Sequence, residues 1–294
     1  MNYRVTHKTE YRYDKSVSAS YSEAHLVPRR LSHQSCVSSD IVIQPQPLDY
    51  RERYDFFDNR TSFFSIHVPH TSLIVTATSV VEVLDRGAQL PLHTGTPWET
   101  AAARLHEEPD AEVIMARQYV LDSPLVAVSA GLRAYAEPSC TPGRPLFDAI
   151  TDLSSRIHHD FDYQPGTTTI ATSPGEVLER RRGVCQDFAH LAIGCVRAMG
   201  LPARYVSGYL ETRPAPGKEH LVGADATHAW LSVFIPDTGW VDLDPTNDQV
   251  PNQRYITTAW GRDYADVTPL KGIVFSGASK HQLTVSVDVA RVET

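Results

Sequence analysis

Cys185 is the residue with the clearest chemical potential. It follows Arg181-Arg182-Gly183-Val184 and opens a segment in which Phe188, Leu191, Ala192, Cys195, Val196 and Met199 recur at helical spacing. A cysteine at the start of a helix lies among unpaired N–H groups and a partial positive charge, both of which favour thiolate over thiol. Gly183, two residues earlier, lets the chain turn sharply and brings backbone N–H groups close to a reacting carbonyl. One element can thus supply a nucleophile and half of an oxyanion hole. A thiolate nucleophile needs a base or cation beside it. His228, in Thr227-His228-Ala229-Trp230, stands 43 residues downstream at the mouth of an expected strand. Sixteen residues further, Asp242-Leu243-Asp244-Pro245-Thr246-Asn247 offers two carboxylates near the end of the next strand. Joined as a hairpin, the strands bring His228 and Asp244 to the same end. They share a face only if paired residue numbers have an even sum, which calls for an odd loop or a bulge at the turn. Asp242 satisfies the same parity. Asp244 is preferred because Pro245 ends ladder pairing and leaves its side chain at the open end, nearer His228.

The elements that must position these residues follow from pattern. In the first 85 residues, period-2 alternation from Tyr3 to Tyr13 marks a half-buried strand, and further strands are expected at Ile41–Ile43, Phe63–Val68 and Leu73–Leu84. Strands without intervening helical patterns suggest a small antiparallel β-sandwich over 1–85. Gly, Pro and polar residues around Arg86–Thr96 suggest a linker, within a linker and helical segment over 86–144 that includes helices at Trp98–Glu107 and Glu112–Val120. A core over 145–260 begins with an amphipathic helix carrying Leu146, Phe147, Ile150, Leu153 and Ile157 and ending at His158-His159-Asp160. Ser173-Pro174-Gly175-Glu176 reads as a capping box opening a helix to about Arg181. Strands are then expected at Ala203–Leu210, Ala229–Ile235 and Trp240–Leu243, with a turn at Pro236–Gly239. Residues 261–294 form an extension whose alternating Leu283–Val289 is another strand.

Taken together, Gly183-Val184-Cys185-Gln186-Asp187-Phe188-Ala189-His190, Gly200-Leu201-Pro202-Ala203-Arg204-Tyr205-Val206-Ser207-Gly208-Tyr209, His228-Ala229-Trp230 and Asp244-Pro245-Thr246-Asn247 resemble the bacterial transglutaminase-like family, a branch of the papain-like thiol enzymes often labelled cysteine proteases. Tyr3 to Tyr13, Pro28-Arg29 and Asp55–Asn59 resemble the β-rich N-terminal domain that accompanies that core. Asp58 departs from the pattern, because the family usually has Gly before this Asn. The resemblance implies an α+β protein: an N-terminal antiparallel β-sandwich, then a papain-like core in which a helix bearing the cysteine packs on an antiparallel sheet. It implies Cys185 as nucleophile, His228 as base and Asp244, over Asp242, as orienting acid. The chemistry implied is thiol-dependent acyl transfer on peptide or amide bonds, with hydrolysis favoured and amine transfer or a non-catalytic scaffold as alternatives. Tyr163 and Gln186 are candidates for a second oxyanion donor, and Trp230 either shields the site or fills the core. Asp187 suits the helix N-terminus electrostatically.

Other readings are excluded or weakened. No motif requires a cofactor, and there is no EF-hand-type loop for calcium. Cys36, Cys140, Cys185 and Cys195 are too few and scattered for a disulfide framework. Cys185 and Cys195, ten residues apart on one helix, would lie about 15 Å from each other. Cys195 belongs to the apolar stripe. His158-His159-Asp160, even with His190, lacks the spacing of a metal site. With 35 acidic against 27 basic residues, the net charge of −8 disfavours nucleic-acid or anionic-membrane partners, and the family resemblance implies a peptide or protein substrate. No apolar run reaches the roughly 18 to 20 residues of a membrane span, and the first residues lack a signal-peptide pattern, so a soluble cytoplasmic protein is expected.

Overall fold

The computed structural model describes residues 1–85, 95–212, 227–276 and 280–292. Except for Gly95 and Thr96, the linker expected at Arg86–Thr96 lies outside them. The chain opens with β1 (Asn2–Ala24), β2 (Gln34–Gln44), β3 (Asp49–Tyr54), β4 (Arg60–Ile66) and β5 (His70–Val83). Helices α1 (Trp98–Glu107), α2 (Ala111–Arg117), with a 3-10 turn at Gln118–Val120, and α3 (Ala130–Ala136) follow. The next segment contains α4 (Leu146–Asp160), β6 (Asp162–Tyr163), α5 (Pro174–Arg180), β7 (Arg182–Gly183) and α6 (Cys185–Ala198). Then come β8 (Ala203–Leu210), β9 (Thr227–Ile235), β10 (Gly239–Leu243), β11 (Tyr255–Gly261), α7 (Tyr264–Val267), β12 (Leu270–Ser276) and β13 (His281–Arg291).

Seven described strands form one antiparallel sheet with β1 at its centre. Along one side of β1 run β5 and then β4; along the other run β13 and then β12. The segment after 261 therefore joins the N-terminal sheet. Alternation in β1 buries Tyr3, Val5, His7 and Thr9 and leaves Arg4 and Lys8 exposed. The two halves of the sheet share a core, in which Ile43, Leu73 and Val75 meet Ala24, Phe64, Ile66 and Leu270. The strand at Asp49–Tyr54 has no counterpart among the expected strands, because all six residues are exposed and polar residues break the alternation. Asp58 has φ 61°, the left-handed region a glycine enters freely, which accounts for the glycine usual there in the family.

The second core is built around α6. Its sequence suggests one apolar stripe, yet every residue from Asp187 to Ala198 is buried. It is covered by β8 and β9 on one side and by α3, α4 and α5 on others, and α1, α2 and α3 contribute Leu105, Val113 and Leu132 to the same cluster. The expected capping box forms: Ser173 Oγ accepts from Glu176 N at 3.3 Å and Glu176 accepts from Ser173 N at 3.0 Å. The described core sheet is antiparallel, in the order β10-β9-β8-β11. No helix among the described residues is long and apolar enough to cross a membrane.

Gly208 lies in the centre of this sheet, between His228 of β9 and Thr257 of β11. A Cβ there would stand 2.1 Å from the Ile256 carbonyl oxygen and 2.7 Å from Trp230 Cη2. Backbone on one side and a fully buried ring on the other leave nothing free to yield. Gly208→Ala is expected to destabilise the protein by about 3 kcal/mol, the upper end of overpacking costs. Denaturant midpoints measure this, and a midpoint equal to that of the wild type would show that the two strands can separate at no cost.

Candidate active site

Cys185 occupies the first position of α6, half-buried. The first two helical residues, Cys185 and Gln186, have no intrahelical acceptor for their N–H groups, so those groups can bind an anion. Val184 precedes them and has no side-chain acceptor. The cap is supplied in reverse by Asp187, whose Oδ2 accepts from Val184 N at 2.8 Å and from Thr168 Oγ1 at 2.7 Å. This close approach needs Gly183, where a Cβ would lie 2.8 Å from Asp187 Cβ and Oδ2. Burial pushes the Asp187 carboxyl above its usual range against these two donors. Asp187 thus caps the helix and ties the loop at Thr168 to it.

The β9–β10 register pairs Gly239 with Ile235 and Leu243 with Leu231, an even sum, across a three-residue loop in which Asp237 has φ 66°. That is the odd loop required to put His228 and Asp244 on one face. The odd residues Ala229, Leu231 and Val233 pack into the cluster around α6, whereas Trp230 belongs to a separate cluster with Val206 and Tyr255. His228 Nε2 lies 2.7 Å from Asp244 Oδ2, leaving Nδ1 for Cys185. Burial alone would lower the His228 pKa. Hydrogen bonds and charge from Asp244 and Cys185 outweigh it and push the imidazole up to about 10. The stabilisation from this proton is full below the ordinary value near 6.5 and is lost as pH rises through about 10.

Asp244 is fully buried and accepts five hydrogen bonds. Oδ2 takes His228 Nε2, Asn247 Nδ2 and Tyr255 Oη, each at 2.7 Å. Oδ1 takes Thr246 N at 2.9 Å and Asn247 N at 3.3 Å. Burial would raise its pKa, but His228, Asn247 and Tyr255 hold it below the usual carboxylate range. Asp242 is opposite Ser232, further along the hairpin, and lines a separate cavity of about 130 Å³ with Arg204, Trp240 and Trp260.

The supporting candidates divide. Trp230 is fully buried and stacks on His228, with ring centroids 6.1 Å apart and an interplanar angle of 29°, so it both fills the core and flanks the imidazole. Tyr163 pairs in parallel register with Gly183, two residues before Cys185, and is 56% exposed; burial of part of its ring and then the charge of Cys185 push its pKa up. Gln186 follows the cysteine, half-buried. Cys195 is buried in the core, and burial pushes its thiol up to about 12. His158, His159 and His190 do not converge. His158 Nδ1 donates to Thr246 O at 2.9 Å, His159 Nδ1 to Ser155 O at 2.7 Å, and His190 Nε2 accepts from Tyr264 N at 3.1 Å. Among the described residues, no group of three or more His, Cys, Asp or Glu could hold a metal ion.

Sequence reasoning missed Asn247 and Tyr255. An Asp followed two and three residues on by backbone donors is an Asx-type turn, so Asp244-Pro245-Thr246-Asn247 carried a local signal for the first. Tyr255 had none, since it reaches Asp244 from a different strand.

The family description "Bacterial transglutaminase-like N-terminal region" matches residues 3–82, and "Transglutaminase-like superfamily" matches residues 133–245. An uncharacterized protein of Mycobacterium tuberculosis is 46% identical over 297 residues, spanning 99% of this chain and 93% of that one. A protein-glutamine gamma-glutamyltransferase of Pseudomonas aeruginosa is 31% identical over 109 residues, 35% of this chain and 16% of that protein. Among solved structures, a Cytophaga hutchinsonii protein described as a candidate cysteine protease shares the fold, with a TM-score of 0.74 and 20% identity over 100% of this chain and 92% of that one. With the cysteine helix and its facing hairpin placed as above, the chain belongs to the transglutaminase-like superfamily and carries the bacterial transglutaminase-like N-terminal region.

Proposed function

We propose that the protein is a thiol-dependent acyl-transfer enzyme that cleaves peptide or amide bonds through Cys185, His228 and Asp244. The observation that carries this reading is the 2.7 Å contact of His228 Nε2 with a fully buried Asp244, with Cys185 acting on the same imidazole. The sulfur of Cys185 attacks the carbonyl carbon, and the N–H group of Cys185 faces the oxyanion that forms, with Gln186 or the Tyr163 hydroxyl as the candidate second donor. Protonated His228 passes its Nδ1 proton to the leaving amine as the C–N bond breaks, giving a thioester. Asp244 keeps Nε2 protonated and the ring oriented throughout. Water, activated by the now neutral imidazole, then releases the acid and frees the sulfur.

A second reading is transfer to an amine through the same thioester, favoured by the similarity to the Pseudomonas glutamyltransferase. The two diverge only at the acceptor. Incubating peptide substrates with and without a primary amine separates them by product mass: a free acid for hydrolysis, an amide adduct for transfer.

Labelling by an amide-directed electrophile across pH 5 to 9, followed by intact mass, tests the site itself. One label per chain is expected in the wild type, none in Cys185→Ala, and a loss of at least about a hundredfold in rate in His228→Ala. Labelling at the rate of buried Cys195 and indifferent to His228 would mean a binding module instead. Asp244→Asn is expected to slow turnover by about a thousandfold or more. It should also move the alkaline limb of the pH profile downward, because burial would then dominate the His228 equilibrium. An unchanged profile would remove Asp244 from the mechanism.

A further inference from the structure

We infer that the N-terminal domain is a positioning element of the active site, holding the bulge in β11 that aims Tyr255 at Asp244; this rests on the reading of Cys185, His228 and Asp244 given above.

The outer edge of β11 meets the N-terminal domain through side-chain amides that act as a neighbouring strand would. Gln34 Oε1 accepts from Thr257 N and Gln34 Nε2 donates to Thr257 O, both at 2.8 Å. Three residues on, Asn59 Oδ1 accepts from Trp260 N at 2.9 Å and Asn59 Nδ2 donates to Trp260 O at 2.8 Å. Gln34 is 2% exposed and Asn59 fully buried; the two bonds to Thr257 are shielded from water and the two to Trp260 are part-buried. Gln34 is itself fixed by donating to Arg29 O at 2.7 Å, and Asn59 by donating to Asp55 Oδ2 at 2.8 Å.

Between the two clamps the β8–β11 register slips: Thr257 pairs with Gly208, but Ala259 pairs with Ser207. The extra residue reverses the alternation. Odd-numbered Tyr255 and even-numbered Trp260 therefore share one face, packing with Val206 and Trp230, while Ala259 and Ile256 belong to other clusters. Without the bulge, the register that seats Trp260 would turn Tyr255 to the opposite face, away from Asp244. Trp260 is in turn seated by the Arg29 guanidinium, 3.6 Å above its ring. The two amides bracket the bulge, which sets the face of Tyr255 relative to that of Trp260. Tyr255 supplies one of the three donors on Asp244 Oδ2, the oxygen that also orients His228, and it packs against the His228 ring at 5.9 Å.

The test uses the full chain with isotope-labelled histidine. Tyr255→Phe removes the donor to Asp244. Gln34→Met removes both bonds to Thr257 while keeping the buried volume. Ser79→Ala removes a hydrogen bond from Ser79 to Ser39 within the N-terminal sheet and serves as a control. The His228 Nε2 proton resonance reports the bond to Asp244 whether or not the protein is an enzyme. It is expected to shift in Tyr255→Phe and in Gln34→Met and to stay in place in Ser79→Ala. The rate of Cys185 labelling should fall about tenfold or more in Tyr255→Phe, as expected for a lost hydrogen bond to a charged group, and should fall also in Gln34→Met. The double variant should be no slower than the slower single, because the two residues act in series. A resonance that does not respond to Gln34→Met, or rate effects that multiply in the double variant, would overturn the inference. If the resonance shifts as expected but the wild-type thiol is inert, the positioning stands and the catalytic reading falls.

Discussion

A carboxylate withdrawn completely from water costs several kcal/mol unless charge and hydrogen bonds replace its hydration. Asp244 is such a group, and much of the site's architecture meets its demand for partners. The donors come from three places: β9 through His228, the turn after β10 through Thr246 and Asn247, and β11 through Tyr255. Each must arrive within hydrogen-bond distance of an oxygen that cannot move. The hairpin register, the Asx-type turn and the bulge of β11 are therefore coupled through one side chain. The C-terminal end of α4 joins the set, since His158 holds the Thr246 carbonyl.

The opposite half of the site follows a different rule. Helix α6 is buried along nearly its whole length, so it cannot tilt or slide without disturbing the sheet on one side and three helices on others. Its first turn is the exception. Gly183 gives up its side chain so that Asp187 can reach back to Val184, and Thr168 draws the neighbouring loop onto the same carboxylate. Capping in this way satisfies the chain before the cysteine and leaves the first helical N–H groups directed at whatever meets the sulfur. A rigid body with an open end is a suitable mount for a nucleophile.

Much of this was legible from local pattern. The Tyr3–Tyr13 half of the strand Asn2–Ala24, the helices Leu146–Asp160 and Pro174–Arg180, and the hairpin of β9 and β10 all follow from periodicity, caps and turn residues. For His228 and Asp244 to share a face, their parity called for an odd loop or a bulge, and the loop has three residues. Less legible were elements whose residues carry no period of their own. The exposed edge strand Asp49–Tyr54 reads as polar loop, and helix Ala130–Ala136 is too short to show a face. The strand Tyr255–Gly261 hides its alternation behind a bulge, which breaks the period-2 signal at the point where it matters most.

The candidate site residues, the element each stands on and the condition under which His228 and Asp244 share a face were legible in the sequence itself, because spacing along one helix or one hairpin sets direction through short, regular geometry. The choice of Asp244 over Asp242 was already favoured by Pro245. What only the tertiary structure decided is who else serves the site. Tyr255 approaches from the other edge of the sheet, Gln34 and Asn59 from a domain some two hundred residues earlier in the chain, and β12 and β13 return from the far end to complete that domain. Contacts of that range depend on how separately formed surfaces meet, and a buried polar group takes its partners from whichever surface is there.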